Sequence, residues 1–276
     1  MAMLAVPCFA NRTLIDETGR KVVVPDHPHR VICLMPSVTD AVFALGAGDD
    51  VVAISDYTKY PAAALTKPSI GDLIKPSIET ILSLHPDLVI GYQPKGPMEV
   101  TDQLERVGIP VFLVTPHGIA GIMHSVETIG QALNRVPQAD ALVRSLQLRV
   151  DTVKARTKGL PAVRVFMPIW YDPITTIGGK AFITEVIQAA GGRSVTDDLP
   201  EEWPQISMEV VLERAPDALL MVRGGKMTMP VLQDRPGWSS MRAIKEHRIY
   251  FVDDRIYQAS PIAIDALEDL AKQFHP

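Results

Sequence analysis

The sequence predicts an α/β protein of two similar parallel-sheet lobes joined by one long helix. Three observations predict it. One stretch occurs twice, first as Ser77-Ile78-Glu79-Thr80-Ile81-Leu82-Ser83-Leu84-His85-Pro86-Asp87-Leu88-Val89-Ile90 and again from Ser207 to Leu220, with Ser, Glu, Leu, Pro and Asp at identical offsets. Short apolar runs alternate with helical segments along both halves, as a parallel sheet with helices on its faces requires. Between the halves, Ala139, Leu142, Val143, Leu146, Val150 and Val153 form a stripe at spacings of three and four. A helix there, from about Gln138 to Lys158, is on the order of 30 Å long at 1.5 Å per residue and can join two lobes as a strut.

The elements follow in order. An Asp-Glu-Thr-Gly turn before Val22-Val23-Val24 predicts a small hairpin within 13–28. Val31 to Leu34 is a buried strand. Ser37 or Thr39 suits the cap of a helix from Asp40 to Leu45, which Gly46-Ala47-Gly48 ends. Val51 to Ile54 is the next strand, followed by the loop Asp56-Tyr57-Thr58-Lys59-Tyr60-Pro61. In the first repeat Ser77 caps a short helix, Glu79 lies in its first turn where the helix dipole favours a negative charge, and Pro86 stops it before a strand at Leu88 to Ile90. The loop Tyr92-Gln93-Pro94-Lys95-Gly96-Pro97, a helix from Met98 to Val107 and a strand at Val111 to Val114 complete this half. Ile122 to Asn134 is helical until Pro137 interrupts it, and the long helix then runs to Gly159-Leu160-Pro161.

The second half repeats the plan. Val163 to Met167 is a strand, and the helix Phe182 to Ala190 ends at Gly191-Gly192. Ser207 and Glu209 repeat the roles of Ser77 and Glu79, and Pro216 that of Pro86. Leu219 to Val222 and Ile249 to Val252 are strands; Met241 to Glu246 and Ile262 to Phe274 are helices. The expected organisation is an N-terminal lobe over 11–121, linking helices over 122–159 and a C-terminal lobe over 160–276.

Composition sets bounds. At 276 residues, with 47% hydrophobic and 21% charged residues, the chain is long enough for two domains with sizeable cores. A net charge of -5 carries no basic footprint for nucleic acid. No apolar run approaches the length of a membrane span. Met1 to Ala10 (MAMLAVPCFA) ends in small residues at Cys8 and Ala10 that fit a signal-peptide cleavage site, and is expected to be the remnant of a truncated export signal. A disordered cytosolic start is the other reading. Lipidation at Cys8 is disfavoured because Pro7 precedes it. Only Cys8 and Cys33 are present, so no disulfide framework or cysteine metal site is expected.

Candidate chemistry is sparse. His27, His29, His85, His117, His124, His247 and His275 are scattered, and none pairs at i, i+4 as a metal face does. Surface positions are expected for them, and no metal or cofactor. Gly178-Gly179-Lys180 precedes a helix and suits either an anion site or a simple turn with a solvated lysine; Gly224-Gly225-Lys226 has the same two readings. There is no Gly-x-Ser-x-Gly elbow. The positive signal is aromatic. Tyr57, Tyr92, Trp170, Tyr171 and Tyr257 follow strand ends, where open parallel sheets bind ligands, and Trp203 just precedes the second repeat. Rings so placed make a platform for a large, flat, amphipathic ligand, with Asp254 and Arg255 as polar anchors.

The residues resemble a known family. Arg30 to Asp40 (RVICLMPSVTD), Phe43-Ala44-Leu45-Gly46, Asp56 to Pro61 and Pro76 to Ile90 look like the opening of periplasmic binding proteins of iron-siderophore, haem and vitamin B12 importers. The resemblance covers nearly everything after Thr13. Trp203-Pro204-Gln205-Ile206-Ser207-Met208-Glu209 and Ala259-Ser260-Pro261 look most like its vitamin B12-binding branch. It implies a monomeric, periplasmic binding protein, not an enzyme, with two α/β lobes on one rigid helix. A metal chelate, a corrinoid first among them, would sit in the interlobe cleft for delivery to the permease dimer of an ABC importer. Aromatics at Tyr57, Tyr92 and Trp203 would border it, Asp254 would contact it, and Glu79 and Glu209 would meet arginines of the permease. Tyr92 stands where that branch has tryptophan, Ile262 where it has arginine, and Arg255 where it has an aromatic. Arg255 would suit a more anionic ligand, such as haem or a ferric chelate. A free metal-cation binder and an enzyme on the same two lobes are the remaining alternatives.

Overall fold

The computed structural model describes residues 11–72, 75–93, 99–225 and 227–276. The expectations for Met1–Ala10 with Cys8, for Pro94 to Met98 and for Lys226 lie outside the described residues. The chain divides into two compact units. One runs to Pro116 and takes Ala120–Arg144; the other is His117–Ile119 with Ser145–Pro276.

In the first unit, a hairpin of β1 (Asn11–Ile15) and β2 (Lys21–Pro25) precedes β3 (Val31–Cys33), α1 (Pro36–Ala44) and β4 (Val51–Ile54). Then come α2 (Ile78–Ser83), β5 (Leu88–Tyr92), α3 (Glu99–Arg106), β6 (Val111–Val114) and α4 (Gly118–Ala132). The parallel sheet has the order β4-β3-β5-β6. Its strands are apolar throughout because both faces are covered. Val31, Cys33, Leu88, Ile90, Phe112 and Val114 point into one core, and Ile32, Val89, Val111 and Leu113 into the other. The edge strand β6 is closed by the turn of the β1–β2 hairpin. Asp16 Oδ2 accepts from the Leu113 N–H, the Glu17 N–H donates to the Leu113 carbonyl, and the Arg20 guanidinium donates to the Val111 carbonyl.

The helix α5 (Val136–Thr157) has 22 residues and is continuous; Val136–Arg144 belong to the first unit and Ser145–Thr157 to the second. Contrary to expectation, Pro137 does not interrupt a helix. The break falls at Leu133–Arg135, where Asn134 takes φ 55°, and Pro137 sits in the first turn of α5, where a missing N–H costs nothing. Gly130 lets α4 and α5 meet: a Cβ there would lie 2.4 Å from the Ala139 methyl. The first helix also starts earlier than expected. Pro36 opens α1, the cap position is Met35 with no side-chain bond, and Thr39 donates back to the Met35 carbonyl, so neither Ser37 nor Thr39 is the cap.

The second unit holds β7 (Val163–Phe166), β8 (Pro168–Tyr171), β9 (Ile174–Thr176), α6 (Phe182–Ala189), β10 (Gly192–Ser194) and α7 (Met208–Arg214). It continues with β11 (Ala218–Val222), α8 (Met229–Gln233), α9 (Arg242–Lys245), β12 (Ile249–Val252) and α10 (Ala263–Phe274). Its parallel sheet has the order β10-β7-β11-β12, the same as the first. The two-unit α/β fold predicted from the repeat is therefore present, and the two sheets share one strand order, which the sequence reading did not address. The β8–β9 hairpin, β10 and α8 were not expected. β10 is the short run Gly-Arg-Ser, which carries no apolar signal. Gly192 is therefore the start of a strand and not part of a helix end.

The repeat itself is structurally exact in its local devices. Ser77 Oγ accepts from the Thr80 N–H at 3.1 Å, and Ser207 Oγ from the Val210 N–H at 3.3 Å. Both helices end before the proline, at left-handed residues, His85 (φ 45°) and Ala215 (φ 43°). Pro86 and Pro216 only follow the turn that these residues make. Both copies are also clamped from outside the repeat. Arg30 donates to the Leu84 and His85 carbonyls, and Arg164 to the Arg214 carbonyl, so orphan carbonyls at each helix end are satisfied. These arginines lie 134 positions apart instead of 130, which hides them from an ungapped comparison.

Candidate functional site

In the first unit, the loop after β4 presents Tyr57. It is held by the Asp56 N–H donating to the Gly71 carbonyl, by a short Ser69–Asp56 side-chain bond, and by Ser55 against Thr58 beneath it. The Tyr57 ring is 57% exposed and its hydroxyl lies 3.4 Å from Asp72 Oδ2. Tyr92 is the last residue of β5 and differs in kind: it is half-buried and packs on the core below the sheet. Both lie at C-terminal strand ends, where the sheet leaves backbone and loops to meet a ligand.

In the second unit, the aromatics stand on the hairpin after β7 and on the segment beside it, not in open loops. Trp170 and Tyr171 are on β8, stacked with ring centroids 4.7 Å apart and 18° between planes. Trp170 Nε1 donates to the Asp172 carbonyl at 3.1 Å. The segment 202–206 lies along β9. The Thr176 N–H donates to the Pro204 carbonyl, the Ile206 N–H to the Ile174 carbonyl, and the Gly178 N–H to the Glu202 carbonyl. Trp203 thus rides on a strip bonded to the hairpin that carries Trp170. The close approach explains Gly178-Gly179. A Cβ on Gly178 would lie 2.0 Å from the Glu201 carbonyl oxygen, and one on Gly179 2.4 Å from that of Asp197. Lys180 is exposed, so this motif is a turn that admits the 197–202 loop, with a solvated lysine.

The turn after β12 holds the remaining candidates. Asp253 Oδ1 accepts from the Arg255 N–H and starts the turn Asp254–Tyr257. Arg255 is not turned to an open anion site. Its guanidinium meets Asp253 at 2.9 Å, Asp265 at 3.2 Å and Asp269 at 3.5 Å. Arg149 adds bonds to Asp265 and Glu268, so the two arginines share one carboxylate cluster. The Arg149 bond holds Glu268 below its ordinary carboxylate range against a smaller opposing effect of burial. For Asp253 burial pushes the other way, yet the Arg255 backbone and side-chain bonds leave it lowered as well. Tyr257 is 43% exposed, and partial burial with the neighbouring Asp254 charge raises its phenol.

Three features escaped sequence reasoning. Arg235, after α8, lies 3.6 Å over the centroid of the Tyr171 ring. Leu82 and Leu212 are 37% and 38% exposed, one turn beyond Glu79 and Glu209 in the two copies of the repeat. Both glutamates are exposed, and among the described residues neither makes an ion pair or side-chain hydrogen bond. The third Trp, Trp238, is fully buried against Phe166 and belongs to the core. Among the described residues no cluster of three or more potential metal ligands occurs, and no helix is long and apolar enough to cross a membrane. His29 faces Asp50, His275 faces the Gly191 carbonyl, and His85 and His247 serve left-handed turns.

Residues 31–256 match the family model described as periplasmic binding protein. Over 272 residues the chain is 29% identical to an ABC transporter substrate-binding lipoprotein, YvrC, of Bacillus subtilis (strain 168), with 96% of this chain and 85% of that protein covered. It is 31% identical over 192 residues to the vitamin B12-binding protein of Yersinia pestis (strain Pestoides F), covering 70% of this chain and 69% of that protein. The periplasmic haem-binding protein RhuT from Roseiflexus sp. RS-1, in its apo form, matches with a TM-score of 0.81 at 27% identity, over 90% of this chain and 98% of that one.

Proposed function

The chain belongs to the periplasmic binding protein family and is a substrate-binding protein of the ABC importer kind, not an enzyme; from that premise we propose that it captures a metal chelate, a corrinoid first, and delivers it to an importer permease. The observation that carries the ligand class is the set of exposed rings. Tyr57, Trp170, Trp203 and Tyr257 are each between 39% and 57% exposed, although aromatics are ordinarily covered. Tyr92, Tyr171 and Asp254 complete the proposed contact set. Arg255 is left out of it, because Asp253, Asp265 and Asp269 already neutralise its charge. Haem or a ferric siderophore is the second reading, favoured by the likeness to a haem-binding structure.

The permease contact is proposed at Glu79 and Glu209. Each is an exposed carboxylate followed one turn later by an exposed leucine, a charged peg with an apolar neighbour, once on each unit. A surface duplicated in this way suits a partner with two-fold symmetry. The protein acts as an exported monomer in this proposal. Calorimetric titration with cobalamin, cobinamide, haem and ferric siderophores tests the ligand class. Submillimolar binding of one of them is expected, and failure of all four would overturn the reading.

A further inference from the structure

Of the ten arginines in the second unit, five are engaged by carboxylates, Arg164 and Arg223 bond backbone carbonyls, and Arg156 and Arg248 are exposed. Arg149 bonds Asp265 and Glu268, Arg193 bonds Asp197, Arg214 bonds Asp198, Arg242 bonds Glu246, and Arg255 bonds three aspartates. Arg235 is different. Among the described residues its guanidinium meets no carboxylate and makes no hydrogen bond, and its Nε is buried without a partner. Among the described residues its one side-chain interaction is with the Tyr171 ring 3.6 Å away, and Tyr171 in turn stacks on Trp170. A ring face attracts a cation but offers it no hydrogen-bond acceptor. A buried Nε left in that state is costly unless an acceptor is supplied. At 3.6 Å from the ring centroid the guanidinium has room to lie flat on the ring, which leaves its N–H groups edgewise, the geometry that suits an oxyanion with two oxygens.

We propose that Arg235 recognises an anionic oxygen group on the bound chelate, a carboxylate or a phosphodiester, while the exposed Trp170 ring, on the far face of Tyr171, takes an apolar part of the same ligand. The inference rests on the metal-chelate reading above and adds a specificity rule to it: the chain prefers chelates that carry an acid over the same chelates without one. Arg235 follows α8 and meets the hairpin at Tyr171, which packs on the core beneath α8, so its place on the Tyr171 face opposite Trp170 is a property of the folded unit.

The test is a titration of the unaltered protein and of Arg235→Gln with two pairs of probes. Haem is paired with its dimethyl ester, which lacks the carboxylates; cobalamin is paired with cobinamide, which lacks the phosphodiester and its nucleotide base. Within the pair that binds, the unaltered protein is expected to favour the acid-bearing member at least tenfold. Arg235→Gln is expected to abolish that preference while holding the acid-free member within threefold of its original affinity, which also shows that the variant is folded. The pair that responds identifies the acid as carboxylate or phosphodiester. The inference is overturned if the unaltered protein shows no preference, if the preference survives in Arg235→Gln, or if the variant weakens both members alike. Binding of none of the four probes overturns this inference, and failure of the ferric siderophores as well overturns the chelate reading with it, outcomes distinct from binding without an Arg235-dependent preference.

Discussion

Replacing Trp203 with alanine offers the sharpest test of the aromatic site, because the structure sets the size of the effect. The ring is 40% exposed. The backbone on either side, at Glu202 and Pro204, makes the bonds that hold the strip to the hairpin, and alanine keeps all of them. If a tryptophan side chain offers on the order of 250 Å² and 40% of it is open, a ligand covers ~100 Å² and gains ~2.5 kcal/mol at ~25 cal/mol per Å². At ~1.4 kcal/mol per factor of ten, full loss corresponds to about 60-fold in Kd. Incomplete coverage lowers this, so a weakening between about tenfold and 60-fold is expected for the chelate that binds. Isothermal titration measures it, and a thermal melt confirms that Trp203→Ala is folded. Affinity within threefold of the original, in a folded variant, would refute the placement of Trp203 at the ligand.

Glu79→Ala combined with Glu209→Ala is expected to leave fold and ligand affinity unchanged and to lower uptake several-fold in vesicles containing the permease; unaffected uptake would mean these carboxylates only serve their helices. Adding Leu82→Ala and Leu212→Ala should lower uptake further if the leucines share the contact. Glu268 contributes stability through Arg149 that is fully present above its ordinary value near 4.5 and is lost as pH falls through the lowered value in the folded state. Urea midpoints between roughly pH 5 and pH 3 should therefore fall more steeply for the unaltered protein than for Arg149→Met, and parallel curves would remove the pair from the acid sensitivity. Burial pushes the Cys33 thiol up to about 12, so it should resist alkylation at pH 8 in the native protein and react readily in denaturant. Rapid native labelling would contradict its place in the core.

Much of the architecture was legible because its causes are local. A strand buried on both faces must be apolar at every position, so Val31-Ile32-Cys33 and Leu88-Val89-Ile90 announce themselves. A serine before a helical run, with a glutamate in its first turn, marks a helix start whatever surrounds it, and both Ser77 and Ser207 act as caps. The repeat then implies two like units, and the shared strand order follows from that duplication.

Tertiary structure decided everything that depends on partners distant in sequence. Arg255 looked available to an anion until Asp253, Asp265 and Asp269 were found around it. Arg235 carries no local signal in the sequence, and the ring it lies over, Tyr171, is 64 positions earlier. The loop expected around Trp170 is a hairpin, braced by a strip some thirty residues later that carries Trp203. Propensity and periodicity report what a residue does to its own few neighbours, whereas the charge and exposure of a side chain are set by what folding brings against it. The sequence by itself thus determined two parallel-sheet units and a set of ring-bearing strand ends; which cation remains without a counter-ion beside those rings was settled only by the fold.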